Sequence, residues 1–203
     1  MRAHIEEILS FWFGLARSEP RAVPAQMERW FGGARDEDEL IRRRFQSDFE
    51  AAVAGRYDAW EEIPRGCLAL IILFDQFPRQ LFRGRPEAFA YDARAQRLVL
   101  DGVQEGFDEQ LCPLERGFFY MPLQHAEILP LQEKSVELFQ RLYDDAAEDW
   151  RPHLKGMLDY AIEHRDIIRR FGRFPHRNAI LGRGSTPEEE AYLAGGAPNY
   201  GQQ

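Results

Sequence analysis

The sequence has little of what marks secreted, metal-binding or nucleic-acid-binding proteins. Its 203 residues include two cysteines and two lysines, and the net charge is −8. Cys67 and Cys112 form no C-x-x-C pair, so two reduced thiols are expected. Because nucleic-acid backbones are bound by clustered positive charge, the acidic balance argues against a nucleic-acid partner.

Long apolar runs and nucleotide-binding loops are missing too. The longest uncharged apolar run, residues 66–74, has about half of the roughly 20 residues that a membrane-spanning helix needs. Residues 1–13 lack the extended apolar core of a signal peptide. The motifs G-x-G-x-x-G, G-x-x-x-x-G-K-[ST] and G-x-S-x-G do not occur. We therefore expect a cytoplasmic protein with no membrane partner and no cofactor.

What the sequence does contain is a helical pattern. Strand signals are nearly absent, whereas apolar residues recur every three or four positions, as at Leu40, Ile41, Phe45 and Phe49. This spacing predicts helices over residues 5–16, 25–31, 37–54, 65–76, 87–103, 122–146, 151–171 and 187–194.

The domain organisation follows from the absence of a linker. No Ser-, Gly- or Pro-rich stretch divides the chain, so we predict one all-α domain over residues 1–194 with about seven to nine helices. Residues 195–203 lack periodicity and are predicted to form a flexible C-terminal tail. Two prolines mark helix boundaries: Pro78 is expected to end a helix, and Pro187 to begin the last one behind the N-cap Thr186.

Polar side chains interrupt three of the apolar helix faces. Asp75 shares a face with Leu68 and Ile72, and His125 and His164 lie within apolar stripes of their own. An unpaired buried carboxylate is unfavourable by several kcal/mol, so Asp75 needs a partner. We expect the three segments to pack together and their polar groups to line one pocket. Its predicted members are Asp75, Gln76, Arg79, Gln124, His125, Glu127, His164, Arg165, Asp166, Arg173, His176, Arg177 and Asn178.

Positive charge is concentrated near the end of the chain. Six of the 24 arginines lie between residues 165 and 183, and Asp166 is the one acid among them. Arginine's planar guanidinium binds carboxylates and phosphates through two parallel hydrogen bonds. We therefore predict that the pocket binds a small anionic ligand or an acidic peptide.

Three stretches around these residues carry a family resemblance. They are Asp-Gln-Phe-Pro-Arg-Gln-Leu-Phe-Arg-Gly from residue 75, Phe-Tyr-Met-Pro-Leu-Gln-His-Ala-Glu from residue 119, and Arg-Phe-Gly-Arg-Phe-Pro-His-Arg-Asn from residue 170. Over nearly its whole length the sequence resembles a widespread, mainly bacterial family catalogued as a domain of unknown function. The resemblance implies a tetratricopeptide-like all-helical fold, but no established activity and no catalytic residue. Ala126 stands where relatives often have serine, so no hydroxyl nucleophile is expected there.

Three functions stay open for this pocket. In the first, the pocket is the site of a binding module for the anionic ligand or acidic peptide. In the second, it is the active site of an enzyme that uses histidine and carboxylate acid–base chemistry on a small anionic substrate. In the third, the polar residues form a purely structural network, and the protein acts through protein–protein contacts. A metal site on His125, His164 and His176 is disfavoured, because His125 and Glu127 point to different sides of a helix and no H-x-x-x-H pair occurs. The sequence predicts no oligomeric state.

Overall fold

The described part of the chain folds mainly into helices. The computed structural model describes residues 2–32, 35–198 and 200, and over these residues it contains no strand, which confirms the predicted all-α class. The α-helices are α1 Arg2–Phe13, α2 Val23–Phe31, α3 Arg35–Val53, α4 Pro64–Ile71, α5 Phe77–Leu81, α6 Asp92–Gln104, α7 Pro113–Gln124, α8 Leu129–Asp144, α9 Arg151–Phe171 and α10 Pro187–Ala194.

A π turn joins α4 to α5 into one continuous buried helix, so the described residues contain nine separate helices. The turn spans Ile72–Gln76, and the Phe77 N–H donates to the Ile72 carbonyl five residues back. This wider turn changes the backbone register just before Pro78, which has no N–H and would crowd the carbonyl four residues earlier. The prediction that Pro78 ends the helix is therefore wrong. Asp75 lies inside the turn and is fully buried.

The helix predicted over residues 122–146 corresponds to parts of two helices, the end of α7 and the whole of α8. Pro122 lies inside α7, and α8 begins at Leu129. Helix α7 is buried on nearly every side, including Phe118 and Phe119. A helix that is apolar all round has no polar face to reveal its period. Its start is marked instead by Pro113 in the first helical turn.

The C-terminus of α9 and the N-terminus of α10 each lie at a residue typical of a helix terminus. Helix α9 ends at Phe171 and is followed by Gly172, whose φ of 69° lies in the left-handed region that favours glycine. Thr186 caps α10 as predicted: its Oγ1 accepts from the Glu189 N–H at 3.2 Å, and the Glu189 carboxylate accepts from the Thr186 N–H at 2.7 Å.

One hydrophobic core runs through the helices from α1 to α9. Near its centre Trp12, Phe13, Phe77 and Phe118 pack edge to face. Helix α9 packs along α7 and α8. The helices thus form one domain. Its predicted limit at residue 194 and its tetratricopeptide-like order stay predictions.

The structure bears on two smaller expectations. Cys67 is buried, Cys112 is half-buried, and both are unpaired. Within the described part of the chain, no helix has the length and apolar character needed to cross a membrane.

Candidate functional site

A cavity of about 870 Å³ lies among α2, α5, α7 and α9. This volume is within the range of small-molecule sites, roughly 300–1,000 Å³. Asp75 does not line the cavity, but it bonds to His125, which does. Seven of the thirteen predicted residues line the cavity: Gln76, Arg79, Gln124, His125, His164, His176 and Arg177.

Much of the remaining wall is apolar. It includes Met27, Trp30 and Phe31 of α2 and Met157 and Tyr160 of α9. Trp30 is buried, whereas Phe31 and Tyr160 are each 51% exposed. The apolar wall of the cavity therefore extends from the protein interior to the surface. The sequence pattern alone does not distinguish the buried Trp30 from the exposed Phe31. The cavity therefore combines an apolar part with a strongly polar one.

Asp75 and His125 form a hydrogen-bonded pair at the polar part. Asp75 Oδ1 lies 2.7 Å from His125 Nδ1, and Asp75 Oδ2 accepts from Gln76 Nε2. Burial raises the pKa of Asp75, but Arg79 and His125 outweigh burial and hold that pKa below its usual range. A carboxylate only accepts, so His125 Nδ1 is assigned the proton and Nε2 is left as an acceptor.

His164 is held in the same tautomer by the backbone. Its Nδ1 lies 2.7 Å from the Tyr160 carbonyl oxygen, which only accepts, so the proton again lies on Nδ1 and Nε2 is the acceptor. The rings of His125 and His164 are 6.1 Å apart. Neither Nε2 has a hydrogen-bond partner among the described residues, and neither is sealed from solvent. The cavity thus receives two imidazole acceptors.

His125, His164 and His176 are neutral at pH 7. Burial lowers the pKa of His164 to about 3, with His125 adding to the effect. Burial and Arg177 lower the pKa of His176 to about 3 as well. Burial is also the largest cause of the lowered pKa of His125, and it outweighs the attraction of Asp75.

Asp92 joins two arginines of the cavity wall and was not predicted. It accepts from Arg79 at 3.0 and 3.2 Å and from Arg177 at 3.4 Å. Asp92 is the first residue of α6, where an acid looks like ordinary compensation of the helix dipole. Nothing in the spacing signals a bond to residues 13 and 85 positions away.

Arg177 leaves part of its guanidinium without a hydrogen-bond partner among the described residues. Its guanidinium stacks over Phe89 and Phe174 at 4.5 and 4.6 Å, and its Nε bonds to nothing within the described residues. Burial and Arg79 outweigh Asp92 and lower the pKa of Arg177 to about 10, so it stays charged at pH 7. The charges of Arg79 and Arg177 balance those of Asp75 and Asp92.

Glu127 and Asn178 lie outside the cavity wall and hold the turn that carries His176 and Arg177. Glu127 accepts from Arg183 at 2.6 and 2.8 Å and from the Phe174 N–H at 2.7 Å. Asn178 donates to Ser185 at 3.1 Å and to Glu189 at 3.3 Å. These two predicted residues therefore support the site without facing it.

The predicted concentration of positive charge is largely cancelled by acids from the chain around it. Arg165 pairs with Asp166 at 2.8 Å and Arg173 with Glu189 at 2.6 Å. The predicted pocket residues Arg165, Asp166 and Arg173 do not line the cavity. Of the six arginines between residues 165 and 183, Arg177 alone lines it. The others pair with carboxylates on Glu127, Glu133, Asp166, Glu188 and Glu189.

The end of the chain also reaches the cavity. Ala197, Pro198 and Tyr200 line it, and the Tyr200 ring lies 4.5 Å from that of His164 and 4.9 Å from that of His176. The predicted flexible tail, residues 195–203, includes these three residues, and its members 199 and 201–203 lie outside the described residues. That the tail is flexible stays a prediction.

No group of three His, Cys, Asp or Glu side chains within residues 2–32, 35–198 and 200 is placed to hold a metal ion. His125, His164 and His176 share the cavity wall, but Asp75 is engaged with His125 and Glu127 with Arg183.

Comparison with known proteins places the chain in a family. Residues 8–197 match the family described as "Bacterial protein of unknown function (DUF924)". A solved structure, that of the protein of unknown function ATU0120 from Agrobacterium tumefaciens, is 36% identical and superposes with a TM-score of 0.81, covering 96% of this chain and 99% of that one. No functionally curated protein matches the chain. The chain therefore belongs to the DUF924 family of bacterial proteins.

Proposed function

We propose that the cavity binds a small amphiphilic anion, with the anionic group beside Arg177 and the apolar part along α2 and α9. The observation that carries the proposal is the composition of this one cavity. It joins an apolar wall that includes Trp30 and Met157 to polar side chains that include Arg79, Arg177 and the histidines 125, 164 and 176. Ligand sites typically combine such an apolar lining with a few convergent polar groups.

The anionic group is assigned to Arg177 because its guanidinium has donors to spare. Arg177 Nη1 reaches Asp92 at 3.4 Å, and its Nε has no partner in the described part of the chain. The Nε is enclosed by the protein, so a carboxylate or phosphate oxygen beside Arg177 would accept charge-assisted hydrogen bonds from its Nη groups.

The charge balance of the site adds a condition to anion binding. Asp75 and Asp92 already offset Arg79 and Arg177, so a bound anion leaves one negative charge in excess. That charge raises the pKa of the neighbouring histidines. We therefore expect the anion to bind together with a proton on a histidine, and its affinity to rise as the pH falls.

A small ligand fits these features better than an acidic peptide. The arginines outside the cavity are engaged with carboxylates, such as Arg169 with Glu133 at 2.5 Å and Arg170 with Glu188 at 2.9 Å. A purely structural network accounts for Glu127 and Arg183, which tie one turn to the rest of the fold. It does not account for a cavity of about 870 Å³ beside unpartnered imidazole nitrogens.

The test is calorimetric titration at pH 6 with hexanoate, octanoate and decanoate, and with octanol as the uncharged match. We expect octanoate to bind, octanol to bind at least tenfold more weakly, and Arg177→Gln to weaken octanoate at least tenfold. The control is Arg169→Gln, which removes an exposed arginine of the same segment. Absence of binding by all three carboxylates, or equal binding by Arg177→Gln, contradicts the proposal.

A further inference from the structure

Within the described residues, histidine pairs with a carboxylate twice, and the two pairs differ in their surroundings. His4 Nε2 lies 2.7 Å from Asp48 Oδ1, but His4 is 46% exposed and lies away from the cavity. The pair of His125 and Asp75 has the same distance of 2.7 Å, a fully buried carboxylate and an imidazole on the cavity wall. The buried pair is the one placed to act on a ligand.

We propose that His125, oriented by Asp75, is the general base of a site that hydrolyses small carboxylic esters. The proposal rests on the proposed function, because the product carboxylate is the amphiphilic anion assigned to the cavity. The substrate class is a neutral ester with an apolar acyl group. His125 is the catalytic residue, since its Nε2 touches the attacking water, and Asp75 is a positioning residue.

The two imidazole acceptors define a place for that water. His125 Nε2 and His164 Nε2 both carry a lone pair, because Nδ1 of each donates, one to Asp75 and the other to the Tyr160 carbonyl. A group with two donor hydrogens satisfies both nitrogens, and water is the smallest one. The ring centroids lie 6.1 Å apart, and a water that donated one hydrogen to each imidazole would keep its oxygen lone pairs free for attack.

The step balances without a cofactor. The water oxygen bonds to the ester carbonyl carbon, one water proton moves to His125 Nε2, and the carbonyl electron pair moves onto its oxygen beside Arg177. Collapse of this intermediate breaks the bond to the leaving oxygen, which takes the proton from His125. The products are an alcohol and a carboxylic acid, and the acid then loses its proton to the imidazole and from there to water.

The charge balance favours an ester over an anion as the molecule that enters. The polar end is neutral, with Asp75 and Asp92 against Arg79 and Arg177. A neutral ester leaves that balance intact. Hydrolysis then creates a carboxylate and a proton in the same place, which is the charge-compensated complex described above. Asp75 stabilises the imidazolium that forms on His125.

The groups that set the pH dependence surround His125 from several elements. Asp75 and Arg79 come from the π turn and α5, Asp92 from α6, and His164 from α9. Asp75→Asn removes the negative charge that favours the imidazolium. We expect this variant to move the acidic limb of the profile of kcat/KM to lower pH, besides lowering kcat.

The test measures hydrolysis of p-nitrophenyl butyrate and octanoate. The variants are His125→Gln, Asp75→Asn and His4→Gln, the last as a control for reaction at an exposed histidine. We expect His125→Gln to lower kcat/KM about a hundredfold and Asp75→Asn at least tenfold, with His4→Gln unchanged. A wild-type rate no higher than that of His125→Gln overturns the inference.

Titration of each variant with octanoate, with unfolding by urea as a check of folding, separates the two proposals. Octanoate binding without ester hydrolysis overturns the hydrolase and leaves the binding site. Neither binding nor hydrolysis overturns both. Hydrolysis that needs His125 while octanoate fails to bind supports the base and contradicts the anion site.

Discussion

At the residue scale, the site depends on buried charges that pair across the fold. Asp75 contacts His125 at 2.7 Å and Arg79 at 3.2 Å while fully buried. Its need for a partner was predictable, because a carboxylate on an apolar stripe cannot stay unpaired. The bond from Arg79 to Asp92 was not predictable, since helix propensity and periodicity carry no information on contacts between separate elements.

Removal of the Asp75 carboxylate should destabilise the fold. Asp75→Ala leaves a buried histidine and part of a guanidinium without their acceptor, so we expect a loss of about 3–5 kcal/mol in the free energy of unfolding. Urea unfolding at pH 7 measures it. Asp166→Ala is the matched control: its carboxylate is 54% exposed, so we expect a change within about 0.5 kcal/mol. Equal losses in both variants would contradict the paired, buried state of Asp75.

At the element scale, the π turn and the close approach of α7 to α9 shape the cavity. The turn keeps α4 and α5 in one line through Pro78, so that Asp75, Gln76 and Arg79 stand within two helical turns. Amphipathic helices such as 151–171 were predicted to the residue. Helix α7 was not predicted, because a helix that is buried all round shows no contrast between a polar and an apolar face. The helix end predicted at Pro78 was wrong, because a proline alone does not show whether a π turn accommodates it.

Two glycines on the facing helices α7 and α9 give a matched pair of substitutions. A Cβ on Gly117 would lie 2.5 Å from Met157 Sδ, whereas a Cβ on Gly156 meets open space. We expect Gly156→Ala to stabilise the protein by about 0.5–1 kcal/mol through helix propensity. Gly117→Ala should give less than that or a loss, since Met157 has to move within the cavity wall. Urea unfolding compares them, and equal stabilisation in both would contradict the close packing of α7 on α9.

At the scale of the whole molecule, histidines that are neutral when folded make stability depend on pH. The pKa of His164 is about 3 in the folded state against about 6.5 unfolded, so between these values the unfolded chain binds more protons. Stability is then fully present above pH 6.5 and falls as the pH is lowered.

The slope of that loss can be measured by urea unfolding between pH 6.5 and 4.5. One fully buried neutral histidine contributes up to about 1.4 kcal/mol per pH unit. Replacement by glutamine, which can still donate to the Tyr160 carbonyl, removes that titration, so His164→Gln should show a shallower slope than the wild type. Identical slopes would contradict a neutral, buried His164.

Whole-chain features were predictable to different depths. The all-α class followed from periodicity, and the convergence of His125 and His164 on one cavity followed from polar residues on apolar stripes. The neutralisation of the basic segment 165–183 did not, because Glu127, Glu133, Glu188 and Glu189 approach it only in the fold. Net charge along the sequence is therefore a poor guide to the charge that a ligand meets.

The coupling of anion binding to proton uptake is tested most directly by titration calorimetry of octanoate between pH 5.5 and 8. Experiments in two buffers of different ionisation enthalpy report the number of protons taken up. We expect the association constant to fall as the pH rises, by up to about tenfold per pH unit, and octanoate binding to be accompanied by net proton uptake. Arg177→Gln should lower both the affinity for octanoate and the number of protons taken up. Octanoate binding that is independent of pH and buffer, or no binding at any pH, would contradict the coupling of anion binding to proton uptake.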